Sequence, residues 1–173
     1  METRACIIMT SETIEEKIHR ARALTPGIKA YLNAIGMLHV VDELREKAML
    51  SRKIMQESGI SDICRTCAVT GNGSGCCSRE IEEWYEVPTL ILNRLMGKEL
   101  PETPFREDTC IFLGENGCRL LVRHHFCLNY LCRKIEASIP GECIKMVRVA
   151  YGHEIFAAWE LEREIWRYFN LNS

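Results

Sequence analysis

The sequence predicts a mostly α fold: a helical domain built around a loop-rich, cysteine-bearing metal centre. Three observations carry this. Apolar residues step by three or four over residues 28–48, and the period of an amphipathic helix returns over 144–169 with steps of three, four and once seven. Period-two alternation is scarce. Only Cys143 to Val149, rich in β-branched residues, reads as readily as a strand. Eight of the ten cysteines fall between Cys64 and Cys132, a density that ordinary helix packing does not require.

Taken in order, residues 11–24 read as a short amphipathic helix. Thr13 and Glu16 have capping-box spacing, and Ile14 and Ile18 sit four apart. Pro26 and Gly27 interrupt the pattern. A longer helix fits 28–57 through Ile28, Leu32, Ile35, Leu38, Val41, Leu44 and Ala48, with Gly59 as its stop. Residues 60–78 hold the first cysteines and a glycine-rich GNGSG segment that reads as loop. Residues 79–86 allow a turn or two of helix. Pro88 suits the first turn of a helix reaching Met96 and stopped by Gly97. Pro101 and Pro104 mark a loop before the second cysteine group at 110–132. The tail is periodic through Ile144, Val147, Tyr151, Ile155, Trp159, Trp166 and Phe169, with Gly152 placed to kink or divide it. The expected organisation is a single domain over 1–173, with N-terminal helices at 11–59, a cysteine-cluster region at 60–135 and a C-terminal helix at 140–173. A chain of 173 residues is long enough to bury a core of its own.

Charge and composition narrow the function. There are 22 Lys and Arg against 24 Asp and Glu, so no basic excess points to a nucleic acid. The first residues carry one early Arg and an apolar run only from Cys6 to Met9, too short for a secretory signal. No run approaches a membrane span. The expected location is cytoplasmic, where thiols are kept reduced and clustered cysteines serve as ligands rather than disulfides. In that setting the Asn72-Gly73-Ser74 sequon is a chance match.

The first cysteine group is Cys64-Arg-Thr-Cys67 followed by Cys76-Cys77. A CxxC gap lets two thiolates reach one ion and recurs in zinc and iron–sulfur sites. The βαβ context of a thioredoxin-like motif is missing. The adjacent Cys76 and Cys77 can face one site only if the chain turns there, which Gly75 permits. The second group is Cys110, Cys118, Cys127 and Cys132. Its gaps match neither ferredoxin pattern, so spacing leaves the metal open. From Gly117 to Ile135 there are four cations, Arg119, Arg123, Arg133 and Lys134, and no acids. They read either as solvated helix faces or as charge compensation for bound thiolates. His124 and His125 are further candidate zinc ligands. Cys6 and Cys143 stand apart and read as small buried hydrophobes.

These residues resemble the YkgJ-like cysteine-cluster family, described as zinc- or iron-chelating, over about Cys64 to Cys132. Cys110-Ile-Phe-Leu-Gly-Glu-Asn-Gly-Cys118 is similar to the family's C-x-F-L…G-x-C segment, and Cys127 follows as that pattern expects. Cys67, Cys76 and Cys77 resemble its first element. Arg123-His124 stand where the family carries Arg-Pro. The resemblance implies a metal centre, and a similar module in flagellin lysine methylases implies a four-iron cluster.

Other chemistry is thin. GNGSGCC lacks the ending of a phosphate loop. Glu82, Glu83, Glu160, Glu162 and Glu164 read as solvated helix faces, and Trp84, Tyr85, Trp159, Trp166 and Phe169 as packing, with a dimer face as the lesser reading for the last three. The leading expectation is a metal-binding protein holding a 4Fe–4S cluster or zinc through Cys64, Cys67, Cys76, Cys77, Cys110, Cys118, Cys127 and Cys132, in an electron-transfer or accessory role. The alternative is a zinc-stabilised module whose helices bind a protein partner or form a homodimer. An enzyme using the cluster is a third reading, for which no acid–base set can be isolated.

Overall fold

The computed structural model describes residues 12–70 and 77–172. Among these residues the chain forms seven helices and one two-stranded hairpin, so the mostly α expectation holds. Helix α1 spans Ile14–Ala34 and opens on the expected capping box: the Glu16 amide donates to Thr13 Oγ1 at 3.3 Å, and the Thr13 amide donates to the Glu16 carboxylate at 2.7 Å.

The first correction concerns where this helix ends. It runs straight through Pro26, and the break falls at Gly36 instead. Proline removes a single backbone donor, and the packed face of Ile14, Ile18, Ala21, Ile28 and Leu32 outweighs that loss. Gly36 takes φ +72°, with its own amide donating to Asn33 O and the Met37 amide to Leu32 O, which closes the helix in a Schellman turn. The 28–57 stripe hides this break because Leu32, Ile35, Leu38 and Val41 keep step across the glycine. Ile35 is in fact exposed.

Helix α2 spans Leu38–Glu57 and stops at Gly59, φ +81°, as expected. Helix α3, Ile60–Thr70, turns the CxxC segment into helix. The GNGSG segment and Cys76 lie outside the described residues. A 3-10 helix at Arg79–Trp84 leads into α4, Val87–Leu95. Val87 to Asn93 are all buried, so α4 forms the middle of the core. Strands β1 (Leu113–Gly114) and β2 (Gly117–Cys118) pair antiparallel, and short helices α5 (His125–Asn129) and α6 (Arg133–Ser138) follow.

Helix α7, Gly141–Leu171, is continuous. The Cys143–Val149 stretch is helical, and Gly152 does not divide the helix. A mid-helix glycine costs only about 1 kcal/mol, against a long buried face of Val147, Ala150, Tyr151, Glu154, Ala157, Ala158, Leu161 and Ile165. That face is rotated from the predicted stripe. Alanines let α7 approach α2 closely enough for Ser51 Oγ to donate to the Ala150 carbonyl at 3.2 Å. Trp159 and Trp166 consequently point outward, a correction to the packing role expected of them, while Phe169 packs against the core.

Two apolar clusters result. The larger joins α1, α2, α4 and the C-terminal half of α7 with Ile111, Phe112 and the Leu120–Val122 segment. The smaller gathers Ile60, Leu128, Leu131, Ile135, Val147 and Tyr151 from α3, α5, α6 and the first half of α7. No helix of the described residues is long and apolar enough to cross a membrane.

Candidate metal centre

Three buried polar anchors position the cysteine-bearing segments. Asn93, fully buried on α4, accepts from the Leu121 and Val122 amides and donates to the Val122 carbonyl, which pins the chain between Cys118 and Cys127. Glu82 is also buried, contrary to its expected solvated face, and its carboxylate accepts from the Ile111 amide. Burial raises the Glu82 pKa, with that amide bond opposing. The Cys110 amide donates to the Cys77 carbonyl at 2.9 Å, which brings the two cysteine groups together. The seven-residue gap between Cys110 and Cys118 is explained by the hairpin: Leu113 pairs with Cys118, and Gly117 takes φ +94° at the turn.

These segments enclose one cavity of about 430 Å³ at the seam of the two apolar clusters. Its walls include Cys64, Cys67, Cys77, Cys110, Cys118, Cys127 and Cys132. Seven of the eight expected ligands therefore face one space, and the eighth, Cys76, lies outside the described residues. Cys64 and Cys67 reach it from successive turns of α3, three residues apart on one helix face. Cys110 is close enough to Cys118 and Cys127 to feel their charges, and Cys64 and Cys132 pack against the smaller cluster. Cys67, Cys110, Cys118 and Cys132 are thiols outside any disulfide. Among the described residues no three or more His, Cys, Asp or Glu are drawn together tightly enough for one bare ion. The thiols instead ring a space larger than an ion needs, since a water molecule takes about 30 Å³. A soft, all-sulfur donor set around such a space fits a multi-atom iron–sulfur group, and with closure it would fit zinc.

The cavity's electrostatics are set by burial and by two arginines. Burial pushes the Cys110 thiol well up, and Cys118, Glu82 and Cys127 add to this. A coordinated cation reverses that order and deprotonates such a thiol outright. Tyr85 is buried, as expected. Its hydroxyl accepts from the His124 amide and lies 3.8 Å from Cys127 Sγ. Burial raises its pKa, and Cys118 and Cys127 raise it further. Arg123 is not a solvated cation. It is 8% exposed, and its guanidinium sits 5.2 Å over the Tyr151 ring. Burial opposes its charge, but Tyr151, Glu154 and Cys118 outweigh burial and the net shift is upward. Arg119, Arg133 and Lys134 are exposed, as the solvated-face reading has it.

Neither His124 nor His125 lines the cavity. His124 Nδ1 accepts from the Phe126 amide, and burial, helped by His125, lowers its pKa to about 4. Cys143 is half-buried on α7 rather than a buried hydrophobe, and Cys6 lies outside the described residues. Trp84 is largely exposed, edge-on to Phe126 at 4.7 Å. Glu162 is half-buried and accepts from Thr89 Oγ1.

Sequence reasoning missed Arg52, Tyr151 and Asn93 as site-builders. Ser51 continues the Val41, Leu44, Ala48 buried stripe, which places its neighbour Arg52 near that face. Nothing comparable marks Asn93, whose role depends on a segment almost thirty residues away. Comparison with known proteins finds no matching family model, curated protein or solved structure.

Proposed function

We propose that the chain is a metal-binding protein that holds an iron–sulfur cluster through thiolates of the central cavity, in an electron-transfer or accessory role. One observation carries the reading: seven cysteines, from Cys64 to Cys132 along the chain, line a single cavity. Cys77, Cys110, Cys118 and Cys127 would hold a four-iron cluster, since Cys77 is tied to Cys110 through the backbone and Cys110 feels the charges of Cys118 and Cys127. Cys64, Cys67 and Cys132, with Cys76, are the further ligand pool. The similarity of the Cys110–Cys118 segment to the YkgJ-like pattern points the same way, and reduced thiols fit a cytoplasmic setting. When bound, the cluster supplies one-electron redox chemistry. The protein's own residues half-bury the thiols, with Cys110 buried outright, and place Arg123, Arg52 and Tyr85 in the same wall.

The test is anaerobic purification followed by iron, acid-labile sulfide and zinc analysis. One cluster gives about four irons and four sulfides per chain, two clusters twice that, with a brown colour absorbing near about 400 nm. Folded protein containing none of the three elements defeats the reading.

A second reading, a zinc-stabilised interaction module, draws on α7. Met146, Val149, Phe156, Trp159 and Trp166 are exposed along a helix about 46 Å long. Colourless protein with stoichiometric zinc and concentration-dependent sedimentation would favour it.

A further inference from the structure

The cavity wall holds two buried or part-buried guanidinium groups, Arg123 and Arg52. Arg123 Nη1 contacts Met55 Sδ at 3.4 Å, while Nε and Nη2 are buried and have no hydrogen-bond partner. Arg52 Nη2 donates to the Cys118 carbonyl at 3.2 Å, and its Nε is likewise buried and unpartnered. Glu154 on α7 is close enough to Arg123 to favour its charge. A charge buried in the wall is little screened by water. Both arginines line the cysteine cavity, and Cys118 is near both.

We propose that Arg123 and Arg52 form a cationic wall beside the bound centre and that their charge favours its reduced state. This rests on the iron–sulfur reading above. Four thiolates on a doubly positive four-iron cluster carry a charge of about −2, and one added electron makes it more negative. A cation fixed in a water-poor wall stabilises the reduced form more than the oxidised one. Both arginines act through the centre's charge and are positioning residues.

The experiment is a spectroscopic redox titration of anaerobically purified wild type, Arg123→Met and Arg133→Gln, with iron and sulfide measured on each. The electron comes from the added reductant. Arg133 is exposed in the same basic stretch and changes net charge equally, but its field is screened by water. At a given ambient potential, Arg123→Met is expected to lower the reduced-to-oxidised ratio at least tenfold, which is a fall of about 59 mV for a one-electron couple. Arg133→Gln leaves the ratio unchanged. If Arg123→Met retains its cluster but titrates like the wild type, shifts upward, or is matched by Arg133→Gln, the cationic wall is overturned and the iron–sulfur reading stands. If the wild type holds zinc and no iron, the iron–sulfur reading fails first and the inference fails with it. Should Arg123→Met fail to fold, Arg52→Gln is judged by the same downward shift.

Discussion

Replacing Asn93 with alanine tests whether the core and the site are one construction. Asn93 is fully buried and holds three backbone groups of another segment: the Leu121 and Val122 amides and the Val122 carbonyl. Alanine orphans all three. Each buried unsatisfied group costs about 1–3 kcal/mol. Water entering the vacated space recovers part of this, so the expected loss is about 4 kcal/mol. Against a typical total of about 5–15 kcal/mol, that leaves the protein marginal. In urea, with a slope of about 2 kcal/mol/M, the unfolding midpoint falls by about 2 M. Metal content per folded chain should fall too, because Leu121 and Val122 join Cys118 to Cys127. Asn93→Asp keeps two acceptor bonds but buries a charge and loses the donor, so it is unstable at neutral pH and recovers towards acid. A loss below about 1 kcal/mol in Asn93→Ala, with metal retained, would refute the reasoning.

Other substitutions separate ligands from bystanders and fix the acid limb of stability. Cys110→Ser or Cys118→Ser should lose most of the bound metal while Cys143→Ser, half-buried on α7, keeps it, as elemental analysis will show. For His124, burial holds the folded pKa at about 4, below its usual value of 6.5, so the unfolded chain binds more protons between those limits. Its contribution is therefore neutral above pH 6.5 and becomes destabilising as pH falls towards 4. At 1.36 kcal/mol per unit the full shift corresponds to about 3.4 kcal/mol, reduced by partial solvent exposure to about 1–2 kcal/mol. His124→Gln removes that loss, so the stability difference between variant and wild type should grow over this window in denaturant titrations at several pH values. A constant difference sinks the assignment. The buried carboxylates Glu82, Glu154 and Glu162 titrate in both proteins and cancel.

What the sequence made legible was governed by local chemistry. The capping box at Thr13, the glycine stops at Gly59 and Gly97 and the proline start of α4 depend on residues within a turn of one another, and each is found where expected. The misplaced break at Pro26 and the overlooked one at Gly36 arise from tertiary packing, which carries a helix past a proline when its face is well buried. The rotated face of α7 has the same origin. Alanine is too small to register in a stripe of large apolar residues, yet it sets how closely two helices approach. For the site, cysteine spacing picked out residues that line one cavity, because the Cys110–Cys118 gap is a local hairpin. It did not show the wall between them. The sequence left Arg123 open between a solvated face and charge compensation, because its burial against Tyr151 and Met55 involves α7 and α2, both far away in sequence.

The position of the cavity predicts how the fold responds to metal removal. In small zinc modules the unfolded chain has no preformed site, and metal binding is itself the folding reaction. Here the larger apolar cluster draws on α1, α2, α4 and the C-terminal half of α7, and its polar demands are met internally by Asn93 and by the Ser51 bond to Ala150. The smaller cluster of six buried apolar residues joins α3, α5 and α6 to the first half of α7, and the cysteines lie at the seam. Stripping the metal should therefore leave most far-ultraviolet helical signal intact. Amide hydrogen exchange should speed up in α3, α5 and α6 and stay slow in α4, whose residues from Val87 to Asn93 are all buried. Wholesale loss of helix on chelation would mean that the bundle depends on the centre, and that the two clusters do not divide the work of holding the chain together.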